Sequence, residues 1–331
     1  MHLLALALAF ASHALAADQD KQDKQDKQTD PPQVKVEALV YAHYGYDLTK
    51  DAEGANSFDL DRAYLGAQSQ MSKHLAAKVM LDAGRLDDTS ADTKLRVFVK
   101  HAWLEASNGK AIKARFGVVD TGYTGYEEAF IGLRYMAKSM ADDQKVLSTA
   151  DIGINAQGEQ AGGMVSWHAA ILNGEGYSKP ELDAGKTGQA RLSVDPLAKK
   201  QKFALPITGF VSYAIPAKGN DSVLAYAAAV GVKVPHLIGW VEYVGKSTAG
   251  VSSGGISATV SPRMAKYGGI VLRVDRWDPD AETTQDASLK ISGGVTHDFL
   301  EKTAVSLTYE RIQTEAGDAT HGIFARMQAG F

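Results

Sequence analysis

His321-Gly-Ile-Phe-Ala-Arg-Met-Gln-Ala-Gly-Phe331, the final eleven residues, decide the fold. Counted back by twos from the end, Phe331, Ala329, Met327, Ala325 and Ile323 are all apolar. The intervening positions, Gly330, Gln328, Arg326, Phe324 and Gly322, are small or polar except for Phe324. A period of two sends alternate side chains to opposite faces of a strand, so one face suits hydrocarbon and the other water. A strand on a soluble sheet alternates too. The decision therefore rests on whether the rest of the chain repeats the pattern.

It does, from residue 33 onward. Ile112, Ala114, Phe116 and Val118 oppose Lys113, Arg115 and Gly117; Val34, Val36, Ala38, Val40 and Ala42 oppose Lys35, Glu37, Tyr41 and His43. Later segments behave alike, as where Ile270, Leu272 and Val274 oppose Arg273 and Asp275. Two segments, Phe203 to Ile215 and Val223 to Val234, are apolar on both faces, and His101 falls among apolar neighbours, Val99 and Trp103. The runs group into about sixteen strands, near 33–46, 58–71, 74–84, 95–107, 111–119, 148–156, 163–173, 187–195, 202–216, 222–234, 236–246, 254–262, 267–277, 286–297, 302–313 and 321–331. Short connections alternate with longer polar ones. That regularity predicts an all-β fold, a closed antiparallel transmembrane barrel with both termini on the short-turn side, rather than a soluble sandwich.

The rest of the sequence is consistent with export. Residues 3–10 form an apolar run closed by Ala14-Leu-Ala16, which predicts a signal peptide over 1–17, although only His2 stands where a basic region is usual. Residues 18–32 carry a Gln-Asp-Lys repeat that offers nothing apolar to bury, predicting a solvated spacer before a barrel over 33–331. The chain has no cysteine, so it depends on no disulfide framework. No later apolar stretch approaches the roughly 20 residues of a membrane helix, and the mature chain enters a bilayer only as a closed barrel.

The longest insertion, residues 120–147, contains Tyr126 to Met140, a helix-compatible segment with Glu127 and Glu128 in its first turn and Lys138 in its last. Folded inward it narrows the lumen; folded outward it caps the barrel. Glu127, Glu128 and Arg134 are its constriction candidates. The water-facing register carries Arg62, Lys78, Lys113, Arg115, Arg191, Arg263, Arg273, Lys290 and Arg326, together with Lys35 and Lys233, against fewer acids: Glu37, Asp82, Asp151, Glu242, Asp275 and Glu310. A wall net positive in a chain of net charge -4 predicts anion preference, unless the charges pair across the lumen.

Arg62 in an alternating strand, the Gly-Val-Val-Asp-Thr-Gly that follows Phe116, the Arg273-Val-Asp-Arg-Trp-Asp278 strand end and the terminal Phe331 together resemble bacterial outer-membrane porins. The likeness is greatest to the phosphate-selective porin O and P type. It implies a sixteen-stranded homotrimer with a loop in the pore, set in outer-membrane lipid, and a terminal strand read by the barrel-assembly machinery. It implies passage of small hydrophilic solutes without a cofactor. Only the basic bias of that family's lumen is matched, not its arginine ladder. Tyr44, Trp103, Trp167, Trp240, Tyr243 and Tyr309 are expected near strand ends or on the lipid face. Enzyme motifs are lacking: there is no His-Glu-x-x-His and no Gly-x-Ser-x-Gly. The alternatives are a barrel enzyme acting on lipid through His101 or His168, and a soluble or structural β-protein of the envelope. The acidic balance disfavours nucleic acid.

Overall fold

A computed structural model describes residues 33–331 apart from 53, 86–93, 110, 182, 218–220, 265–267 and 318. The expected signal peptide and polar spacer lie outside the described residues. Sixteen strands follow one another: β1 (Gln33–Asp47), β2 (Asn56–Ser72), β3 (Leu75–Gly84), β4 (Arg96–Ser107), β5 (Ile112–Asp120), β6 (Ala150–Gln160), β7 (Val165–Leu172), β8 (Lys186–Val194), β9 (Ile207–Ile215), β10 (Val223–Val234), β11 (Leu237–Thr248), β12 (Val251–Pro262), β13 (Gly268–Asp278), β14 (Ser288–Leu300), β15 (Thr303–Thr314) and β16 (Thr320–Gly330). Each pairs antiparallel with its neighbours, and β1 pairs with β16 to close the wall. The seam runs from Leu39 opposite Gly330 to Asp47 opposite Gly322, and Phe331 N donates to Ala38 O at 3.1 Å. Closure leaves no edge strand, the condition for placing backbone polar groups in hydrocarbon.

The alternation sorts side chains as expected. Leu65, Phe116, Val241, Leu272 and Leu307 are exposed on the outer face, while Tyr41, Asp82, Glu242, Asp275 and Thr308 are buried inside. In water this outer surface would be a very large apolar patch; in a bilayer it is solvated by lipid.

Three departures have local causes. In β4 the pairing shifts between Met80 opposite His101 and Leu81 opposite Val99, leaving Lys100 as an extra residue. This bulge turns two successive side chains inward. Val97 and Val99 therefore face out, whereas His101, Trp103 and Glu105 are buried inside. Second, the strand expected from 202 begins at Ile207. Pro206 has no N–H to donate, so the ladder degrades into an isolated bridge in which Ala204 and Lys233 exchange two backbone bonds of 2.9 Å. The β8–β9 connection is thereby long on the short-turn side. Third, β11 and β12 meet at a two-residue turn of Ala249 (φ 53) and Gly250 (φ 87), the geometry that matches strand twist.

Candidate functional site in the lumen

The helix expected over Tyr126 to Met140 is two helices. The first, α1 (Thr124–Ile131), ends at Gly132, whose φ of 73 lies in the left-handed region and whose N–H returns to Glu128 O. The chain turns through 133–138, then Ser139 caps α2 (Met140–Asp143) by accepting from Asp142 N at 3.3 Å. Gly132 breaks the segment because it is the residue best able to stop a helix by turning the chain back.

That break lets the loop fold inward and lie across the lumen. Tyr123, Ile131, Leu133, Tyr135, Met136 and Met140 are buried against Tyr41 of β1, Phe210 of β9, Ala225, Ala227 and Ala229 of β10 and Trp240 of β11. Trp240 is 1% exposed, with its ring 5.2 Å from Phe130 and 6.3 Å from Tyr126. The two-faced apolar character of β9 and β10 thus has a cause: one face meets lipid and the other meets this loop. Small alanines on β10 leave room for it. Polar bonds fix its orientation. The Tyr123 hydroxyl donates to Glu242, the Tyr126 hydroxyl lies 2.8 Å from Ser193 Oγ, and Arg273 Nη1 donates to Lys138 O at 2.8 Å. Lys100 Nζ donates to Thr149 Oγ1 at 2.8 Å, holding the returning end.

The aromatic expectation is corrected in two places. Trp103 and Trp240 do not belong to a lipid girdle; both are buried on the inner face, Trp103 beneath the Arg115 guanidinium at 4.4 Å. Tyr243 and Tyr309 do lie exposed on the outer face.

The basic residues are mostly paired. Lys78 meets Glu37, Arg62 meets Asp82 at 3.5 Å, Arg115 meets Glu105 at 2.8 Å and also Asp120, and Arg273 grips Asp275 at 2.8 Å. Arg263 pairs with Asp298 at 2.8 Å, Arg326 with Glu310 at 2.8 Å, and Lys290 approaches Glu310 and Asp143 at 3.9 and 4.0 Å. Lys113, half exposed, stands 3.7 Å from Glu105. Sequence reasoning missed Glu105 because the bulge at Lys100 hid its register. It missed Asp120, Asp142, Asp143 and Asp298 because they sit at strand ends or on the loop, where periodicity carries no signal. Arg191, Lys233, Lys35 and Lys100 differ from the rest: among the described residues none has a carboxylate within ion-pair distance. The Arg191 guanidinium lies 4.0 Å over the Tyr126 ring and donates to Ser166 Oγ at 3.1 Å. Lys233 stands 4.8 Å over Phe130, and Lys100 lies between the Tyr64 and Tyr177 rings at 5.3 and 5.0 Å.

The three loop candidates have different surroundings. Glu127 is 1% exposed, so it does not line open lumen. Burial pushes its carboxyl well above the ordinary range and nearby Glu242 pushes the same way, against Arg273. Burial also raises Glu128, against the opposing pull of Arg134, whose Nε lies 2.7 Å from it. Burial disfavours the charge on Arg134, but Glu128, Tyr64 and Asp142 outweigh it and raise its pKa. Because both loop carboxyls titrate above the ordinary value of 4.5, the seated loop holds protons that a released loop gives up. Their contribution to seating is complete below that value and is lost as pH rises through the raised ones. The loop should resist cleavage at Lys138 and Lys145 better at about pH 5 than at about pH 9. Equal cleavage at both, by a protease of known activity at each pH, would count against this account of the seat.

His101 and His168 both point into the lumen and are buried, His101 Nε2 lying 3.4 Å from Asp120. No serine hydroxyl is among the hydrogen-bond partners found for either ring, and neither ring faces lipid.

This is the fold of the bacterial outer-membrane porins: a closed sixteen-stranded antiparallel barrel narrowed by an inward-folded loop after β5. Solved structures agree. OmpF of Salmonella typhi, in complex with daunomycin, superposes with a TM-score of 0.68 at 9% identity, covering 91% of this chain and 98% of the other. The anion-selective porin of Comamonas acidovorans gives 0.61 at 14% identity, covering 91% and 100%. OmpT of Vibrio cholerae in its trimer form gives 0.60 at 12% identity, covering 91% and 100%. No protein-family model matches the sequence, and no curated protein sequence matches it.

Proposed function

We propose that this protein is an outer-membrane porin through which small hydrophilic solutes diffuse passively, with a preference for anions. The observation that carries the reading is the loop of residues 121–149 seated against the inner wall of a closed barrel whose outer face is apolar along the middle of its strands. Such a wall is wide enough for an aqueous lumen, and the loop sets its narrowest part. Nothing is transformed in this reading. Arg191 and Lys233 support the anion preference, because each lies over an aromatic ring with no carboxylate at ion-pair distance among the described residues. The pairing of Arg62, Arg115, Arg273 and Arg326 with acids favours general anion attraction over a dedicated phosphate ladder. A homotrimer fits the same reading, since the Vibrio cholerae neighbour has a trimer form. Phe331, exposed at the seam, is suited to recognition by the assembly machinery.

Insertion of the purified protein into a planar bilayer tests both levels. Stepwise conductance is expected, with a reversal potential in a salt gradient showing anion selectivity. Replacing Arg191 with glutamine should lower the anion-to-cation permeability ratio by about twofold, the scale for removing one unscreened charge from a pore wall. A cation-selective reversal potential in the unaltered protein would overturn the anion preference, and absence of conductance would overturn the channel.

A further inference from the structure

The charges of this barrel are sorted along its axis. At the short-turn end, the exposed β8–β9 connection carries Lys199, Lys200 and Lys202, and the β2–β3 and β14–β15 turns of the same end add Lys73 and Lys302. The acids there are fewer: Asp195, Glu301 and Glu159 in or beside the turns, and Glu37, Glu105 and Asp298, each held by a base. Inside the same half of the lumen stand Lys35, Arg191 and Lys233, none with a carboxylate at ion-pair distance among the described residues. At the long-loop end the balance is opposite. Residues 279–287 supply Asp280, Glu282 and Asp286 and no cation, and residues 173–185 supply Glu175, Glu181 and Asp183 against Lys179. The constriction loop lies between the two zones, fixed to β8, β11 and β13 by Tyr126, Tyr123 and Arg273.

We propose that this arrangement makes the pore a rectifier: it passes more current when the long-loop side is positive than when it is negative. The inference rests on the channel reading above. Fixed acids enrich cations at one mouth and fixed bases enrich anions at the other. A field positive at the long-loop side drives cations from their enriched zone toward the constriction and anions from theirs toward the same place. Carriers accumulate there and conductance rises. The opposite field draws both away and empties the narrowest segment. For solutes, the consequence is that an anion is concentrated on the short-turn side and a cation on the long-loop side before either meets the constriction.

Because the chain has no cysteine, a single Thr284→Cys on the exposed 279–287 loop, blocked by a biotin-linked reagent and streptavidin from one side, reports the orientation of each inserted channel. At about 0.1 M KCl, where the Debye length is roughly 10 Å, the currents at opposite voltages are expected to differ by about twofold. At about 1 M, where it is roughly 3 Å, the ratio should fall to about one. The triple replacement Lys199→Glu, Lys200→Glu, Lys202→Glu should abolish the asymmetry at low salt. Symmetric currents at low salt overturn the rectifier and leave the channel standing. Asymmetry that survives high salt or the triple replacement also overturns it, since shape rather than charge would be the cause. Absence of any current refutes the channel itself.

Discussion

Replacing Trp240 with alanine is expected to raise single-channel conductance and expose the constriction loop to protease while the barrel stays folded. Trp240 is the largest side chain fully buried, and it is the surface on which Phe130 and Tyr126 rest. Large-to-small changes of this kind cost about 3–5 kcal/mol, from lost transfer energy and from the cavity left behind. The wall itself depends on backbone ladders, and Thr259, the register partner toward which the backbone of this position points, still exchanges its bonds with an alanine there. The cost should therefore fall on the loop's seat. Trp167→Ala is the control, since Trp167 lies on the outward register of β7. If Trp240→Ala leaves conductance and cleavage at the wild-type level with migration still heat-modifiable, the loop does not set the constriction.

Placing arginine at Leu272 should cost about 2–4 kcal/mol of barrel stability in lipid vesicles, the scale for a cation on the lipid face near the membrane midplane. Leu272 lies midway along β13, exposed on the outer face, between the inward Val271 and Arg273. Gln157→Arg, on the inward register of β6, puts the same charge in the lumen and should change stability little. The measurement is the denaturant midpoint of the refolded protein in vesicles. Equal destabilisation by both variants would sink the assignment of the two faces, because only a lipid-facing arginine is separated from water. Screening by salt should not rescue Leu272→Arg, since the cost is desolvation rather than charge pairing.

Much of the architecture was legible in the residues. Alternation at Ile112–Val118, Ile270–Val274 and Ile323–Phe331 placed strands within a few residues of their observed ends, because in a barrel between lipid and water the two faces differ as sharply as two solvents can. Arg62, Lys78, Arg115, Arg191, Arg273, Lys290 and Arg326 fall on the inward register of their strands for the same reason. What defeated the reading was local. One extra residue at Lys100 inverted the faces of half a strand, so that Glu105 went unrecognised as a lumen residue. Pro206 shortened β9, and Gly132 divided a helix that spacing alone made continuous. The double-faced runs in β9 and β10 did hold a usable signal: a strand apolar toward its lumen implies something apolar docked there.

Local alternation alone dictates a membrane barrel, roughly how many strands it has and which face of most of them meets lipid; β4 with its bulge, and β9 and β10 with two apolar faces, are the exceptions. The tertiary structure decided the direction in which residues 121–149 fold, which carboxylate answers which arginine, and which few cations remain without one. Those are contacts between residues far apart in the chain, such as Tyr123 with Glu242 and Arg273 with the carbonyl of Lys138, and they exist only once the wall has closed.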